Sequence, residues 1–472
     1  MRIVAVTAAI LALCVGAEAQ IADFTPQTPL IGALLHNDAA GARRLLERGA
    51  DPNEGRFVGL SPVLLAVMRQ DVELVRLMVA KGADLTVRDR SGSTALMWAA
   101  FNEAGDAAMV DELLTRGADP GAVNNTGETA LTWALRRGET RAVAALRMAG
   151  ASDTLREKAA VQKALSLLQR TGAQFRQASG CQSCHHNALP QMAIGIGRSR
   201  GLAIDEPAAR QDVEATVGML RSVAGEALAN RDRIPDPPIS VSYALLGLAA
   251  EGHPADEVTD AMARVVAAWQ GDDGGFHSLP AMRPPIESSD ITASALSLRA
   301  LQLYGAGTAE QVARAAAWLR DATPRTTEEQ AMQLLGLAWA GDSGHDVRRS
   351  ATALLALQRP DGGWGQLPGL ETDAYATGQA LVALQAAEHP VSSAEYQRGV
   401  AFLLRTQFPD GSWLVRTRTF PVQPPKDSGF PHGKHQWISA AGTSWAAMAL
   451  ALTRSANMEA ASDGRVITRR RD

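Results

Sequence analysis

Cysteine is scarce in this sequence of 472 residues. It occurs only at Cys14, Cys181 and Cys184, so the chain has no set of cysteines of the kind that holds small secreted domains together. Aromatic residues make up only 5%, and the formal net charge is only −4. That weak charge gives no reason to expect a nucleic-acid partner, because nucleic-acid-binding domains carry strongly basic surfaces. The length predicts two or more domains.

Long apolar runs are missing everywhere except at the N-terminus. There a basic second residue precedes an apolar stretch that ends in the small-x-small tripeptide AEA. This pattern predicts a signal peptide over residues 1–19, too short to span a bilayer; the alternative is a buried core helix. Cleavage would remove Cys14 and leave Cys181 and Cys184 as the protein's thiols. The mature protein is then expected in the periplasm of a bacterium or secreted from it.

Two sequence markers recur with one period in the N-terminal third. TPLIGA, SPVLLA, TALMWA and TALTWA begin at Thr28, Ser61, Thr94 and Thr129, at spacings of 33, 33 and 35 residues. A Gly that would end a helix follows in each copy, at Gly49, Gly82, Gly117 and Gly150. The pattern resembles the ankyrin repeat, in four copies over residues 28–153. That resemblance implies a stacked helical solenoid that binds another protein; the alternative is a spacer.

From about residue 155 a second repeat begins. The pattern Gln-x-x-Asp-Gly-x-aromatic occurs as QGDDGGF at 270–276, QRPDGGW at 358–364 and QFPDGSW at 407–413. It resembles the Gln-Trp motifs of the squalene-cyclase and prenyltransferase (terpenoid cyclase) superfamily. The resemblance implies an (α/α)6 toroid over residues 155–455, which makes the whole chain all-α. Six inner helices are expected to begin near Ala188, Val241, Ile291, Glu329, Ala374 and Ser439. Residues 456–472 are polar and predict a disordered tail.

The chemistry of that superfamily is only weakly represented. Class II cyclases protonate an isoprenoid with an Asp-x-Asp-Asp motif, and the resembling stretch ESSD offers only Glu287 and Asp290 as candidate catalytic acids. A similar stretch holds Glu371 and Asp373, which favours helix-capping roles for these acids. The later repeats lack the cysteine that prenyltransferases use to bind zinc. These residues leave enzymatic activity of the toroid undecided and favour a toroid without it.

A separate motif, CQSCHH, precedes the first expected inner helix. Cys181, Cys184 and His185 form Cys-x-x-Cys-His, the attachment signature of c-type haem, with both thiols bonded to the porphyrin and His185 on the iron. The alternatives are a disulfide and a zinc clip. Cys181, Cys184, His185 and His186 are too crowded to supply a whole zinc site. If the toroid closes, its first and sixth repeats are neighbours. His432 and His435 could then approach the motif as a distal haem ligand or as zinc ligands.

Together these patterns predict an exported bacterial ankyrin-repeat protein that mediates protein–protein interaction and binds covalent haem c in its toroid, for a redox or sensing role. The partner is an unidentified protein, with no nucleic acid and no membrane span. The alternatives are a terpenoid-cyclase-like enzyme and a purely structural scaffold.

Overall fold

A computed structural model describes most of the chain. The described residues are 26–102, 104–138, 140–151, 154–179, 183–230, 234–278, 283–287, 289–342, 344–419 and 427–454. The predicted signal peptide, the predicted tail and Cys181 lie outside them. Packing divides the chain into two compact units, Met1–Leu155 and Arg156–Asp472. None of the helices in the described ranges is long and apolar enough to cross a membrane.

The first unit is built from consecutive pairs of short helices. Its described helices are α1 Pro29–Leu35, α2 Ala39–Glu47, α3 Pro62–Met68, α4 Val72–Ala80, α5 Ala95–Ala100, α6 Ala108–Thr115, α7 Ala130–Leu135 and α8 Arg141–Met148. Each odd-numbered helix packs on the next odd-numbered one, and each even-numbered helix on the next even-numbered one. The buried face of one pair is therefore covered by its neighbours, as expected for stacked repeats.

Both sequence markers have a local structural role. The hydroxyl groups of Thr28, Ser61, Thr94 and Thr129 each accept a hydrogen bond from the amide three residues ahead, which caps the first helix of each pair. The four marker glycines follow the second helices with φ between 82° and 91°, a conformation that costs glycine little. The two extra residues of the third copy fall before α6. The residue that precedes α6 is Ala107, and α6 is the one helix among these eight without a side-chain cap.

The second unit is a ring of paired helices. In chain order these are α9 Thr154–Ser179, α10 Leu189–Ser199, α11 Glu206–Ala229, α12 Pro237–Ala250, α13 Glu257–Ala267, α14 Asp290–Tyr304, α15 Ala309–Asp321, α16 Thr327–Trp339, α17 His345–Ala356, α18 Ala374–Ala386, α19 Ala394–Thr406 and α20 Gln436–Leu452. The even-numbered helices form the inner ring, in which each contacts the next and α20 contacts α10. The predicted all-α toroid with six inner helices is confirmed.

The Gln-x-x-Asp-Gly-x-aromatic motifs join neighbouring outer helices. The amide groups of Gln270, Gln358 and Gln407 each donate to a carbonyl within their own turn and to a carbonyl in the first two turns of the next outer helix. The aromatic residues of the motifs are hydrogen-bonded to the inner helices. The backbone amides of Phe276, Trp364 and Trp413 donate to side-chain hydroxyl groups on α14, α18 and α20. Each motif thus ties two outer helices and one inner helix together.

Candidate functional site

The Cys-His motif lies at the start of the first inner helix. Cys184–Ala188 forms a single π-helical turn that continues into α10 and contacts α12 and α20. The Ser183 hydroxyl caps it by accepting from the His186 amide at 3.1 Å. Asn187 ties the turn to α11, donating from Nδ2 to the Asp212 carboxylate at 3.0 Å. On the other side α9 lies so close that a Cβ at Gly172 would be 2.7 Å from the His186 carbonyl oxygen. The turn is therefore held by α9, α11, α12 and α20.

His185 is enclosed by aromatic rings. Its imidazole stacks on Trp437, with centroids 5.0 Å apart and planes 13° apart, and meets Phe175 edge-on at 5.4 Å. Its Nδ1 atom is 2.5 Å from His186 Nδ1 and 3.3 Å from the Ser183 hydroxyl. Burial, with a smaller effect of the Arg283 charge, lowers the pKa of His185 to about 3. The ring is consequently neutral at physiological pH, and neutral imidazole is the form that binds metals.

The neighbouring His186 is buried more deeply. Its ring stacks on Phe175 at 4.7 Å with planes 11° apart, and its exposed fraction is 1%. Burial lowers its pKa well below the ordinary value, so this imidazole is neutral as well. Its Nε2 atom has no hydrogen-bond partner among the described residues. The motif thus offers two neutral imidazoles side by side, of which sequence reasoning singled out only His185.

Cys184 is a partly buried thiol. Burial, followed by the charges of Glu287 and Asp236, raises its pKa far above the ordinary value. A thiol in this environment is a poor nucleophile, because the thiolate is the reactive form. Cys181 lies outside the described residues, so the thioether and disulfide alternatives both stay predictions.

The expected seam between the first and sixth repeats is present, since α10 and the Cys-His turn both pack on α20. The two histidines of that seam have other partners in the structure. His432 Nε2 is 2.8 Å from the Ser412 hydroxyl, and His435 Nδ1 accepts from the Thr417 amide at 3.1 Å. Among the residues the structure describes, no three His, Cys, Asp or Glu side chains are grouped so that they could hold a metal ion. Metal ligation by His432 and His435 stays a prediction.

The two candidate acids of the ESSD stretch face different surroundings. Asp290 lies in the first turn of α14, is 45% exposed, and binds the His277 imidazole and the Ser278 amide at 2.9 Å each. Glu287 is less exposed, pairs with Arg283 at 2.9 Å, and has its pKa raised by burial. Their catalytic role is an untested prediction.

The two acids of the later stretch also differ. Asp373 caps α18 by accepting from the Ala376 amide at 2.9 Å, as the helix-capping interpretation expects. Glu371 is 85% exposed beside Arg416.

Comparison with known proteins agrees with both repeat patterns. A family model for ankyrin repeats matches three copies over residues 30–123. A model for the squalene-hopene cyclase C-terminal domain matches residues 321–470. Ankyrin repeats are followed by a cyclase C-terminal domain. A lanosterol synthase of Candida albicans is 31% identical over 94 residues, a match that spans 18% of this chain and 12% of that protein.

The cyclase C-terminal domain contains a buried acid that sequence reasoning missed. Glu328, in the first turn of α16, is 4% exposed. Its Oε1 atom accepts from the Thr292 hydroxyl at 3.3 Å and the Tyr375 hydroxyl at 3.5 Å. Burial raises the pKa of Glu328 to about 8 although the Arg418 charge opposes it, so the carboxyl is mostly protonated at neutral pH.

A second acid of the cyclase C-terminal domain is perturbed in the same direction. Burial raises the pKa of Asp373 to about 6 against its capping hydrogen bond and the Arg418 charge. Perturbed carboxyl groups of this kind concentrate at functional sites, although structural networks also produce them. For Glu328, the signal in the sequence was the pair Glu328-Glu329 after Thr326. Only Glu329 belongs to the capping box, so Glu328 is left without a capping role.

Proposed function

We propose that this protein is exported by a bacterium, binds another protein through its ankyrin repeats, and holds haem c at Cys181, Cys184 and His185 for a redox or sensing role. The observation that carries the proposal is His185, a neutral imidazole that directly follows Cys184 and whose Nδ1 atom lies close to both the His186 ring and the Ser183 hydroxyl. A hydrogen bond to one ring nitrogen is how proteins orient a metal-binding histidine.

The surroundings of His185 support this proposal. The aromatic rings of Phe175 and Trp437 beside His185 provide the apolar surroundings that haem requires. Cys181 and Cys184 would hold the porphyrin through thioether bonds, and His185 would ligate the iron. When bound, haem supplies one-electron redox chemistry. Asn187 and Asp212 then act as positioning residues, because they tie the turn that carries His185 to α11.

The haem proposal is tested by co-expressing the full chain with a bacterial haem c maturation system and staining a denaturing gel for peroxidase activity. We expect a stained band for the wild type and none for Cys184→Ser, with His345→Ala, an exposed toroid histidine (79%), as the matched control. Folded, exported wild-type protein without a stained band contradicts the proposal.

Two measurements on the same preparation decide between the alternatives. One zinc per chain that is lost in His435→Ala would favour the zinc clip, and two additional free thiols after reduction would favour a disulfide. Export is tested by fractionation and by N-terminal sequencing, with Gln20 expected as the first residue.

The protein-binding role is supported by an aromatic surface at the first helices of the third and fourth repeats, formed by the exposed Phe101 packed against the partly buried Trp98 and the buried Trp133. The rings of Trp98, Phe101 and Trp133 are 5.2 to 6.3 Å apart, and Phe101 is 41% exposed. The Arg137 guanidinium lies 3.8 Å from the Phe101 ring centre. Tryptophan and arginine are enriched among residues that dominate binding energy.

We expect Phe101→Ala to abolish crosslinks from the ankyrin repeats to the partner in intact cells. Met148→Ala, which removes a side chain of 80% exposure from the same unit, should leave them unchanged. Equal crosslinking in both variants would show that the aromatic surface is not the binding site.

A further inference from the structure

The rings of His185 and His186 meet nitrogen to nitrogen. Their Nδ1 atoms are 2.5 Å apart, and the ring centres are 4.7 Å apart with planes at 83°. That centre-to-centre distance is close to the nitrogen separation plus the radii of two five-membered rings, so the two nitrogens point at each other. Neighbouring residues of an ordinary α-helix do not face each other. Here both rings belong to the π-helical turn Cys184–Ala188, a kind of turn found frequently at functional sites.

Two nitrogens that face each other at this distance share a single hydrogen atom. Two N–H groups would bring their hydrogens into collision, and two lone pairs would repel each other. A neutral imidazole has one ring nitrogen that donates and one that accepts. One of the two histidines is therefore the Nδ1–H donor and the other the Nδ1 acceptor. In each ring the Nε2 atom takes the role that its own Nδ1 atom does not have.

The Ser183 hydroxyl favours His185 as the donor. Its oxygen accepts from the His186 backbone amide at 3.1 Å and lies 3.3 Å from His185 Nδ1. An Nδ1–H of His185 can be shared between His186 Nδ1 and this oxygen, and such three-centre hydrogen bonds are common at helix termini. In the opposite arrangement His186 occupies the single lone pair of His185 Nδ1, which leaves nothing there for the Ser183 hydroxyl to bind.

A hydrogen on His185 Nδ1 leaves the lone pair on His185 Nε2. Because Nδ1 already has two partners, Nε2 is the nitrogen that remains for a metal ion. Histidines that bind a metal almost always donate the other ring N–H to a neighbouring group, which fixes the tautomer and the ring orientation. His186 Nδ1 lies where that acceptor is required.

The His186 ring is fixed in this position by packing. It is 1% exposed, stacks on Phe175 with centres 4.7 Å apart, and meets Phe430 at 6.0 Å with planes at 90°. Its Nε2 atom has no hydrogen-bond partner among the described residues. No other hydrogen bond to the ring therefore competes with His185 for its orientation.

We propose that His186 is a positioning residue for His185: its Nδ1 atom accepts the Nδ1 hydrogen of His185 and thereby keeps the Nε2 lone pair of His185 free for the iron. This inference rests on the proposed haem function for the identity of the metal. The acceptor is an uncharged ring, so it orients His185 without adding a charge beside the iron. His186 itself does not ligate the iron.

The first test needs no haem. The full chain is produced with ¹⁵N-labelled histidine and without a haem maturation system, and NMR distinguishes ring nitrogens that carry hydrogen from those that do not. We expect His185 in the Nδ1–H form and His186 in the Nε2–H form. His186→Leu should shift His185 toward the Nε2–H form. His186→Asn is the matched control, because asparagine has nearly the shape of leucine but keeps an acceptor oxygen, and it should preserve the Nδ1–H form.

The second test uses the chain co-expressed with the maturation system. The peroxidase-stained band should persist in both variants, because the thioether bonds do not involve His186. The reduction potential should rise in His186→Leu, because the lost acceptor makes His185 a weaker electron donor to the iron. We expect a shift of about tenfold in the reduction equilibrium, which is 59 mV for a one-electron couple. His186→Asn should stay near the wild-type potential.

Three results would overturn the proposal. They are a wild-type His185 that carries its hydrogen on Nε2, equal tautomer ratios of His185 in the two variants, and equal reduction potentials of the two variants. A folded wild-type chain that takes up no haem contradicts the haem proposal, and the NMR comparison still decides this one. If circular dichroism shows that His186→Leu does not fold, His186→Phe takes its place with the same expectation, since it keeps a ring against Phe175.

Discussion

The side-chain amide of Gln407 donates a hydrogen bond of 2.9 Å to the carbonyl oxygen of Ala160, a residue 247 positions earlier in the chain. Gln407 begins the last Gln-x-x-Asp-Gly-x-aromatic motif, and Ala160 lies in α9, the first outer helix. The same contact links α13 to α15 through Gln270 and α17 to α19 through Gln358. A repeated local motif therefore makes the long-range contact that closes the ring.

Removing this contact should destabilise the toroid. We expect Gln407→Ala to lower the free energy of unfolding by about 1–3 kcal/mol, because it removes two partly buried hydrogen bonds. Denaturant unfolding monitored by tryptophan fluorescence measures the change. Gln302→Ala, which removes an exposed glutamine that also donates to a carbonyl, should cost less than about 0.5 kcal/mol. Equal costs would mean that ring closure does not depend on Gln407.

The glycine of the same motif is expected to be more sensitive than an ordinary turn glycine. Gly411 has φ +97°, and a Cβ there would lie 2.6 Å from the Lys163 carbonyl carbon of α9. Gly411→Ala should therefore cost more than the roughly 1 kcal/mol of left-handed strain alone. Gly252→Ala isolates that strain, because Gly252 has φ +77° and open space at its Cβ position. Thermal unfolding should give Gly411→Ala a lower melting temperature than Gly252→Ala. A higher melting temperature for Gly411→Ala would contradict the close contact with Lys163.

The pH dependence of stability should report on Glu328. Its pKa rises from an ordinary 4.5 in the unfolded chain to about 8 in the folded protein, so folding favours the protonated form. The contribution of Glu328 to the free energy of unfolding is therefore full below pH 4.5 and is lost as the pH rises toward 8. Glu328→Gln should reduce the loss of stability between pH 6 and 8, above the range in which Asp373 contributes, and raise stability at pH 8.

An exposed acid supplies the control for that measurement. Glu371→Gln should leave the profile unchanged, because the Glu371 side chain is 85% exposed. Urea unfolding across this pH range measures both variants. A wild-type slope that persists in Glu328→Gln would assign the titration to another group.

A substitution in the first unit tests the capping interpretation of the ankyrin period. Thr129 accepts from the Thr132 amide at 3.2 Å and is fully buried. Thr129→Ala should destabilise this unit by about 1 kcal/mol, measured by thermal unfolding of the full chain. Thr115→Ala, which removes an exposed hydroxyl bound only to the Asp111 carbonyl, should have a much smaller effect. A neutral Thr129→Ala would mean that the repeat marker is not maintained for capping.

Several helix boundaries differed from expectation for local reasons. The second inner helix was expected near Val241 but begins at Pro237. Pro237 and Pro238 occupy its first turn, where the missing amide hydrogen has no intrahelical partner to lose. The fourth inner helix was expected near Glu329 and begins at Thr327. This shift places Glu328 inside the helix, where its carboxyl contacts the Thr292 and Tyr375 hydroxyl groups.

The sequence by itself determined both repeat systems and the all-α fold class. Caps such as Thr129 and turn glycines such as Gly117 act on residues only a few positions away, so their chemistry is visible as a period. The tertiary structure alone decided which side chains meet inside the ring. Tyr243, Glu328, Tyr375 and Trp445 come from four separate helices, and only the packing of the inner ring brings them together. A buried carboxyl also acquires its raised pKa from desolvation, which depends on packing and leaves no signature in the order of the residues.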